Sequence, residues 1–261
     1  MTTTSRDTIR RRILDGETLF GAWTDMASPL ATEITGRAGY DWLVVDLEHG
    51  AGTEASLLSV LLAAEASGAA AFVRPQSAER LRIGRALDLG AAGIVVPRLD
   101  TAAQAAEAVS FLRYPPGGVR GVALRTRGAR LGTVGHAEVG SLNAGLVGIV
   151  QIESPSALRE ADDIAAIEGV DVLFVGPADL SHSLGIPGQF ANPTYLAALD
   201  AVVGACRRHG KSPGILLYDH ASFGPHLARG FRFVGVGSEG SFIAEGAAAA
   251  LAAARAGRPS S

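Results

Sequence analysis

Short apolar runs rich in β-branched residues alternate along the chain with longer Ala/Leu segments at helical spacing, the pattern of repeated βα units around a parallel sheet. The runs LFGAW (19–23), WLVVD (42–46), AFVRP (71–75) and GIVVP (93–97) read as the first four strands. VGIVQIE (147–153), VLFVG (172–176), GILLY (214–218) and FVGVG (233–237) read as four more. Each is followed by a helix candidate, such as TEASLLSVLLAAEAS after the second and DTAAQAAEAVSFLR after the fourth. Eight such pairs in 261 residues predict an α/β chain folded as one TIM (β/α)8 barrel over residues 1–261. One irregular stretch, 114–140, is longer than an ordinary connection and is expected to be a functional or interface loop. EGAAAALAAARAG predicts a terminal helix, and 257–261 should fray.

Composition narrows the partners. A hydrophobic content of 48 % supports a large core, while 19 % charged residues and a net charge of −3 give no reason to expect nucleic acid. The leading MTTTSRDTIRRRILDG has no apolar leader, and no apolar stretch reaches the roughly 18 residues of a membrane span. A cytoplasmic protein with no membrane contact is the expectation. Cys206 is the only cysteine, which excludes an internal disulfide, and its helical setting predicts core filling. Lys211 is the only lysine and precedes the seventh strand, away from the catalytic end of a barrel, which argues against Schiff-base chemistry. Neither a G-x-S-x-G elbow nor a zinc-type His/Cys spacing is present.

Barrel enzymes build their sites at the C-terminal ends of the strands, so the residues leaving each apolar run belong together. They are Trp23; Asp46, Glu48 and His49; Arg74; Gln151 and Glu153; Asp179 in VGPADLS; and Gly237 with Ser238. Glu153 and Asp179 follow adjacent strands and would repel each other unless a hard divalent cation, Mg²⁺ or Mn²⁺, lay between them. The plain alternative is a pair of solvated or arginine-paired acids. Arg74, emerging from a buried strand, needs an anionic partner, either the substrate or Glu48. His49 is the natural general base, and spacing selects Asp46 as the carboxylate that orients it, with Asp88 as the other acid at hand.

Other features read more simply. GVGSEG (235–240) mimics a dinucleotide fingerprint, but Arg255 stands where the acidic residue should be, so the glycines predict a close-approach loop. Arg113, Arg120, Arg125, Arg127 and Arg130 are read mostly as solvated or subunit-contact charges, and Arg10, Arg11 and Arg12 as an exposed helix face. His182 follows the ADLS turn closely enough to line a pocket.

The segments GAWTDMASPLATEITGRAGYDWLVVDLEHG, FVRP, GAAGIVVPRLDTAAQAAEAV, RYPPGGVRGV, VQIES and FVGPADLS together resemble a known family. It is that of the metal-dependent (class II) pyruvate aldolases typified by 4-hydroxy-2-oxoheptanedioate aldolase and 2-dehydro-3-deoxyglucarate aldolase, within the citrate lyase β-like superfamily. The likeness runs from about residue 18 to 245. It implies reversible cleavage of a 4-hydroxy-2-oxo acid to pyruvate and an aldehyde through a pyruvate enolate stabilised by a divalent cation, Mg²⁺ or Mn²⁺ with Co²⁺ as a substitute. It further implies that Glu153 and Asp179 hold the metal. Gln151 and the Ala178 backbone would hold pyruvate, with Trp23, Gly176, Pro177 and Asp179 around it. Arg74 would stabilise the enolate and His49 act as base.

In the family the residue matching Asp88 raises the basicity of that histidine, against the spacing-based choice of Asp46. From the lower side of the barrel Asp88 could do so only across a subunit interface. The family is typically a homohexamer, a trimer of dimers with an exchanged C-terminal helix. Departures fall in GAGTEAS after His49 and in RGVALRTRGARLG, leaving the aldehyde open. Two other readings stand beside this one: a CoA-thioester carbon–carbon lyase of the citrate-lyase or malyl-CoA-lyase kind, and a non-catalytic oxo-acid sensor.

Overall fold

The computed structural model describes residues 5–257; 258–261, most of the stretch expected to fray, lie outside the described residues. The first half runs α1 (Ser5–Leu14), β1 (Leu19–Thr24), α2 (Pro29–Arg37), β2 (Trp42–Asp46), α3 (Glu54–Ser67), β3 (Ala70–Arg74), α4 (Arg80–Asp88), β4 (Gly93–Val96) and α5 (Ala102–Ser110). The second half runs β5 (Val147–Ile152), α6 (Pro155–Arg159), α7 (Ala161–Ala166), β6 (Val172–Val175), α8 (Pro177–Ser183) and α9 (Pro193–His209). It ends with β7 (Ser212–Leu217), α10 (Phe223–Arg229), β8 (Phe233–Ser238) and α11 (Glu239–Ala256).

The strands pair in parallel and in sequence order, and β8 closes on β1, giving the TIM barrel that the alternating pattern predicts. Side-chain caps set several helix starts: Thr53 caps α3, and Thr101 with Gln104 and Ser238 with Ser241 form reciprocal capping boxes at α5 and α11. Between α5 and β5 the chain makes only short 3₁₀ turns at Arg130–Gly132 and Val139–Gly145.

Alternation along the strands separates two cores. One set of side chains, including Leu43, Val45, Val73 and Ile94, packs outward under the helices. The other, including Trp23, Trp42, Phe72, Phe174 and Phe233, fills the barrel itself. Gly21 makes this inner layer fit, because a Cβ there would lie 2.0 Å from the Trp42 ring. Trp42 can therefore lie flat on Phe233, with ring centroids 4.1 Å apart and planes within 4°.

The floor is shut by α1, whose Ile9 and Ile13 join the inner core. Arg10 on the same helix is not a solvated charge, as its sequence setting suggested. Its Nε and Nη2 donate to Asp171 at 2.9–3.1 Å, and buried Asp171 also accepts the Gly148 N–H at 3.0 Å. Arg12 pairs with Glu17 and Asp41. Two arginines of the long connection are likewise buried, contrary to the solvated reading. Arg113 donates to the carbonyls of Asn143, Leu146 and Gly169, and Arg120 bonds Asp88 at 2.8 Å while stacking on Tyr114. A loop this long exposes many carbonyls, and guanidiniums are the groups that collect several at once.

Cys206 is core filling in α9, its thiol pushed up to about 12 by burial. Lys211 donates to the Ile167 carbonyl at 3.3 Å, at the floor end. From Ile243 onward α11 is exposed, Ile243 and Leu251 included. Among the described residues no helix is long and apolar enough to cross a membrane.

Candidate active site

Asp46 and Arg74 are register partners at the ends of β2 and β3, so their side chains stand side by side. The arginine fork closes on the carboxylate in two bonds, Nε to Oδ1 at 2.9 Å and Nη2 to Oδ2 at 2.6 Å. Asp46 Oδ1 also accepts the N–H groups of Glu48 (3.0 Å) and His49 (3.3 Å), folding the turn that follows. This corrects the choice made from spacing. Both carboxylate oxygens of Asp46 are taken by the guanidinium and the turn, and it holds the His49 backbone rather than the imidazole.

Glu48, nearly buried, bridges two arginines: Oε2 lies 3.1 Å from Arg74 Nη1 and Oε1 lies 3.2 Å from Arg98 Nε. The His49 imidazole is more than half exposed, with its Nε2 3.8 Å from Glu48 Oε2, beyond hydrogen-bond length. Asp88 stands at the end of α4, bonded to Arg120.

Arg98 was passed over in the sequence and is central here. It follows β4 with a φ of +53°, a region that residues with a Cβ seldom occupy. In that conformation its N–H donates to Glu153 Oε1 at 3.0 Å, while its side chain reaches Glu48. Glu153 leaves β5, and Asp179 sits in the first turn of α8, behind Pro177 at the helix start. Gly176 separates these two: a Cβ on it would come within 3.0 Å of Glu153 Oε2.

Burial pushes the Glu153 carboxyl above its ordinary range; the Arg98 amide pulls it back, and the charges of Asp179 and Glu48 push it further up. Burial works against the Arg74 cation, but its bonds to Asp46, with the charges of Asp46, Glu48 and Glu153, outweigh that and keep it protonated.

Four carboxylates, those of Asp46, Glu48, Glu153 and Asp179, therefore face two guanidiniums. Two negative charges are left over. No group of three or more His, Cys, Asp or Glu side chains is arranged around a metal among the described residues. The oxygens of Glu153 and Asp179 do suit a hard divalent ion that keeps several waters, and the buried Gln151 Oε1, without a hydrogen-bond partner, is a further acceptor waiting for a cation or its hydration. The donor set fits such an ion.

Beside these groups a cavity of about 400 Å³ opens at the C-terminal mouth of the barrel. Trp23, His49, Arg74, Gln151 and the turn Gly176–Asp179 all line it. Asp46, Glu48, Glu153, Asp88 and His182 do not; the His182 ring is turned to the Ala178 carbonyl. Gly237, with φ +81°, and the cap Ser238 form the close turn expected of GVGSEG. The cavity also extends outward past Leu216 and Leu217 to Tyr195, Ser222 and His226, residues of helices and loops that no strand-end reading reaches.

Residues 19–245 match the model of the HpcH/HpaI aldolase/citrate lyase family. The chain belongs to that family. This HpcH/HpaI-family member is 41 % identical over 219 residues to a 5-keto-4-deoxy-D-glucarate aldolase of Klebsiella pneumoniae subsp. pneumoniae, covering 84 % of this chain and 85 % of the relative. It superposes on an HpcH/HpaI aldolase/citrate lyase family protein from Burkholderia cenocepacia with TM-score 0.91 at 35 % identity, over 95 % and 99 % of the two chains. An HpcH/HpaI aldolase from Desulfitobacterium hafniense gives TM-score 0.86 at 29 % identity, over 96 % and 97 %. As a member of this family the chain is a carbon–carbon lyase.

Proposed function

We propose that the protein is a divalent-metal-dependent aldolase that cleaves a 4-hydroxy-2-oxo acid reversibly to pyruvate and an aldehyde. The observation that carries this reading is the excess of two carboxylates around a clamped arginine that itself opens, with His49 and Asp179, on one cavity. Glu153 and Asp179 would hold the cation, Mg²⁺ or Mn²⁺ by the chemistry of the donors. When bound, it supplies Lewis acidity to the 2-oxo group of the substrate.

The remaining work falls to the chain. Gln151, the Ala178 backbone and the Gly176–Pro177 turn bind and orient the oxo acid, with Trp23 walling the apolar side. Arg74, immobilised by Asp46 and Glu48, presents fixed positive charge where the carbonyl oxygen becomes an enolate oxygen, at no reorganisation cost during the reaction. His49 takes the proton of the 4-hydroxyl, directly or through a water. The C3–C4 bond then breaks, its electron pair moving into the C2–C3 bond as the aldehyde leaves, and a proton delivered to C3 completes pyruvate.

Among the described residues no carboxylate is hydrogen-bonded to the His49 ring, the Glu48 carboxylate lying 3.8 Å away. The proposal therefore includes Asp88 of a neighbouring copy as the acid that tunes it, in a homohexamer whose exposed α11 exchanges between subunits.

Exchange of pyruvate methyl protons in heavy water with Mn²⁺ or Mg²⁺ tests the pyruvate half without any aldehyde. Metal-dependent exchange that is lost in His49→Ala is the expected result. Absence of metal-dependent exchange in the native enzyme would sink the proposal.

A further inference from the structure

An arginine at φ +53° is held in a conformation that its Cβ disfavours, and the group this conformation serves is Glu153. Among the described residues the Arg98 N–H, 3.0 Å from Oε1, is the only hydrogen-bond donor to the Glu153 carboxylate. The main chain of Glu153 is held separately, its carbonyl accepting the Ser183 hydroxyl at 3.0 Å. With Oε1 on the Arg98 amide, Oε2 is turned to the side of Gly176, where a Cβ would lie 3.0 Å away, and Gly176 caps the helix that carries Asp179. One backbone amide thus sets how this carboxylate is rotated.

The chain is fixed on both sides of Arg98. Before it, Val96 is paired with Val150 in the ladder between β4 and β5. After it, Leu99 is buried, and the N–H groups of Asp100 and Thr101 donate to Gln104 Oε1 at 2.9 and 3.2 Å. The Ser154 hydroxyl donates to the Asp100 carboxylate as well. A residue that resists positive φ here relaxes by rotating the peptide plane between positions 97 and 98, because its neighbours cannot follow. That rotation swings the N–H away from Glu153. The Arg98 side chain, by contrast, is largely exposed and reaches the site through Glu48.

We infer that Arg98 is a positioning residue for the cation site and that it acts through its backbone. The φ tolerated at position 98 sets the orientation of the Glu153 carboxylate and, through it, the affinity for a divalent cation. This rests on the metal-dependent reading above, and it assigns a role to a residue outside the donor set.

Four variants separate backbone from charge. Arg98→Lys keeps the charge and the backbone preference of arginine. Arg98→Gly and Arg98→Asn lose the charge but enter the left-handed region readily, whereas Arg98→Val loses the charge and resists that region most. Mn²⁺ is titrated into the full chain without pyruvate and followed by electron paramagnetic resonance. The number of ions bound reports the fraction folded, so the Kd is independent of it.

The expected Kd of Arg98→Val is at least about fivefold above that of Arg98→Gly, a difference in the population of the binding-competent loop between two proteins of equal charge. Arg98→Asn should bind like Arg98→Gly, and Arg98→Lys like the native protein. Equal Kd values for the valine and glycine variants, or an asparagine variant as weak as the valine one, overturn the inference and leave the metal-dependent reading intact. A native protein that binds no Mn²⁺ overturns that reading and, with it, this one.

Discussion

The barrel carries a two-bond Arg–Asp clamp at each end, and the two differ in what surrounds them. At the floor, Arg10 grips buried Asp171, which also accepts a backbone N–H, and α1 seals the assembly with Ile9 and Ile13. At the mouth, Arg74 grips buried Asp46, but Glu48, Glu153 and Asp179 stand near it and a cavity opens beside it. The first clamp's carboxylate is enclosed, with a second guanidinium, that of Arg113, 3.7 Å from it. The second is left with surplus negative charge and an open side. One ion-pair geometry serves as a fastening where cations enclose the carboxylate and as catalytic equipment where acids are in surplus, which is why a buried pair alone does not reveal a site.

Breaking each clamp should therefore damage a different property. Arg74→Ala is expected to lower pyruvate proton exchange by about 10³-fold, the size of effect seen when a preorganised charge is removed from a developing oxyanion. Single-turnover exchange at saturating pyruvate and Mn²⁺ would measure it, and a loss under tenfold would demote Arg74 to a structural role. Asp171→Ala should instead cost about 3 kcal/mol in urea denaturation by stripping Arg10 of its partner, while exchange per folded molecule stays at the native rate.

Two smaller changes sharpen the contrast at the mouth. Gly176→Ala pushes a methyl against Glu153 Oε2 and should weaken Mn²⁺ binding by about tenfold in an electron-paramagnetic titration, since a shift of a few tenths of an ångström disturbs a carboxylate ligand. Unchanged affinity would mean that Glu153 does not touch the ion.

The smallest effect has an unusual sign. In metal-free protein at pH 7, Glu153→Gln should raise Tm by about 2 °C, because it removes a buried carboxylate held above its ordinary range by burial and neighbouring acids. With the folded-state pKa raised, the native acid destabilises the fold when ionised. The advantage of the glutamine should accordingly vanish as pH falls through that raised pKa and both proteins carry a neutral side chain. A native enzyme more stable than the variant at pH 7 would contradict the surplus-charge picture.

Much of this was legible in the residues alone. The eight strands are found within two residues of their expected positions, because uninterrupted β-branched runs between helical segments admit few other parallel folds. Trp23, His49, Arg74, Gln151 and the Gly176–Asp179 turn converge because strand exits in a barrel have nowhere else to point. What escaped depended on register and on helices. Asp46 is near His49 in sequence, but parallel pairing sets it beside Arg74, a partner 28 positions away. Arg98 acts in part through its backbone, and a left-handed φ at an arginine leaves no mark in composition or spacing. Tyr195 comes from the first turn of α9 and His226 from the middle of α10, where a polar residue on a helix face looks like any other.

The inner aromatic layer also equips the protein to report on itself. The chain has two tryptophans, and they are unlike neighbours: Trp42 is sealed inside the barrel, while Trp23, 5.9 Å away and edge-on to it, forms part of the cavity wall. A ligand entering the mouth alters the surroundings of one indole and leaves those of the other unchanged. Intrinsic fluorescence thus contains its own reference, and occupancy of the cavity can be followed in unlabelled enzyme as a change in emission shape rather than in total intensity.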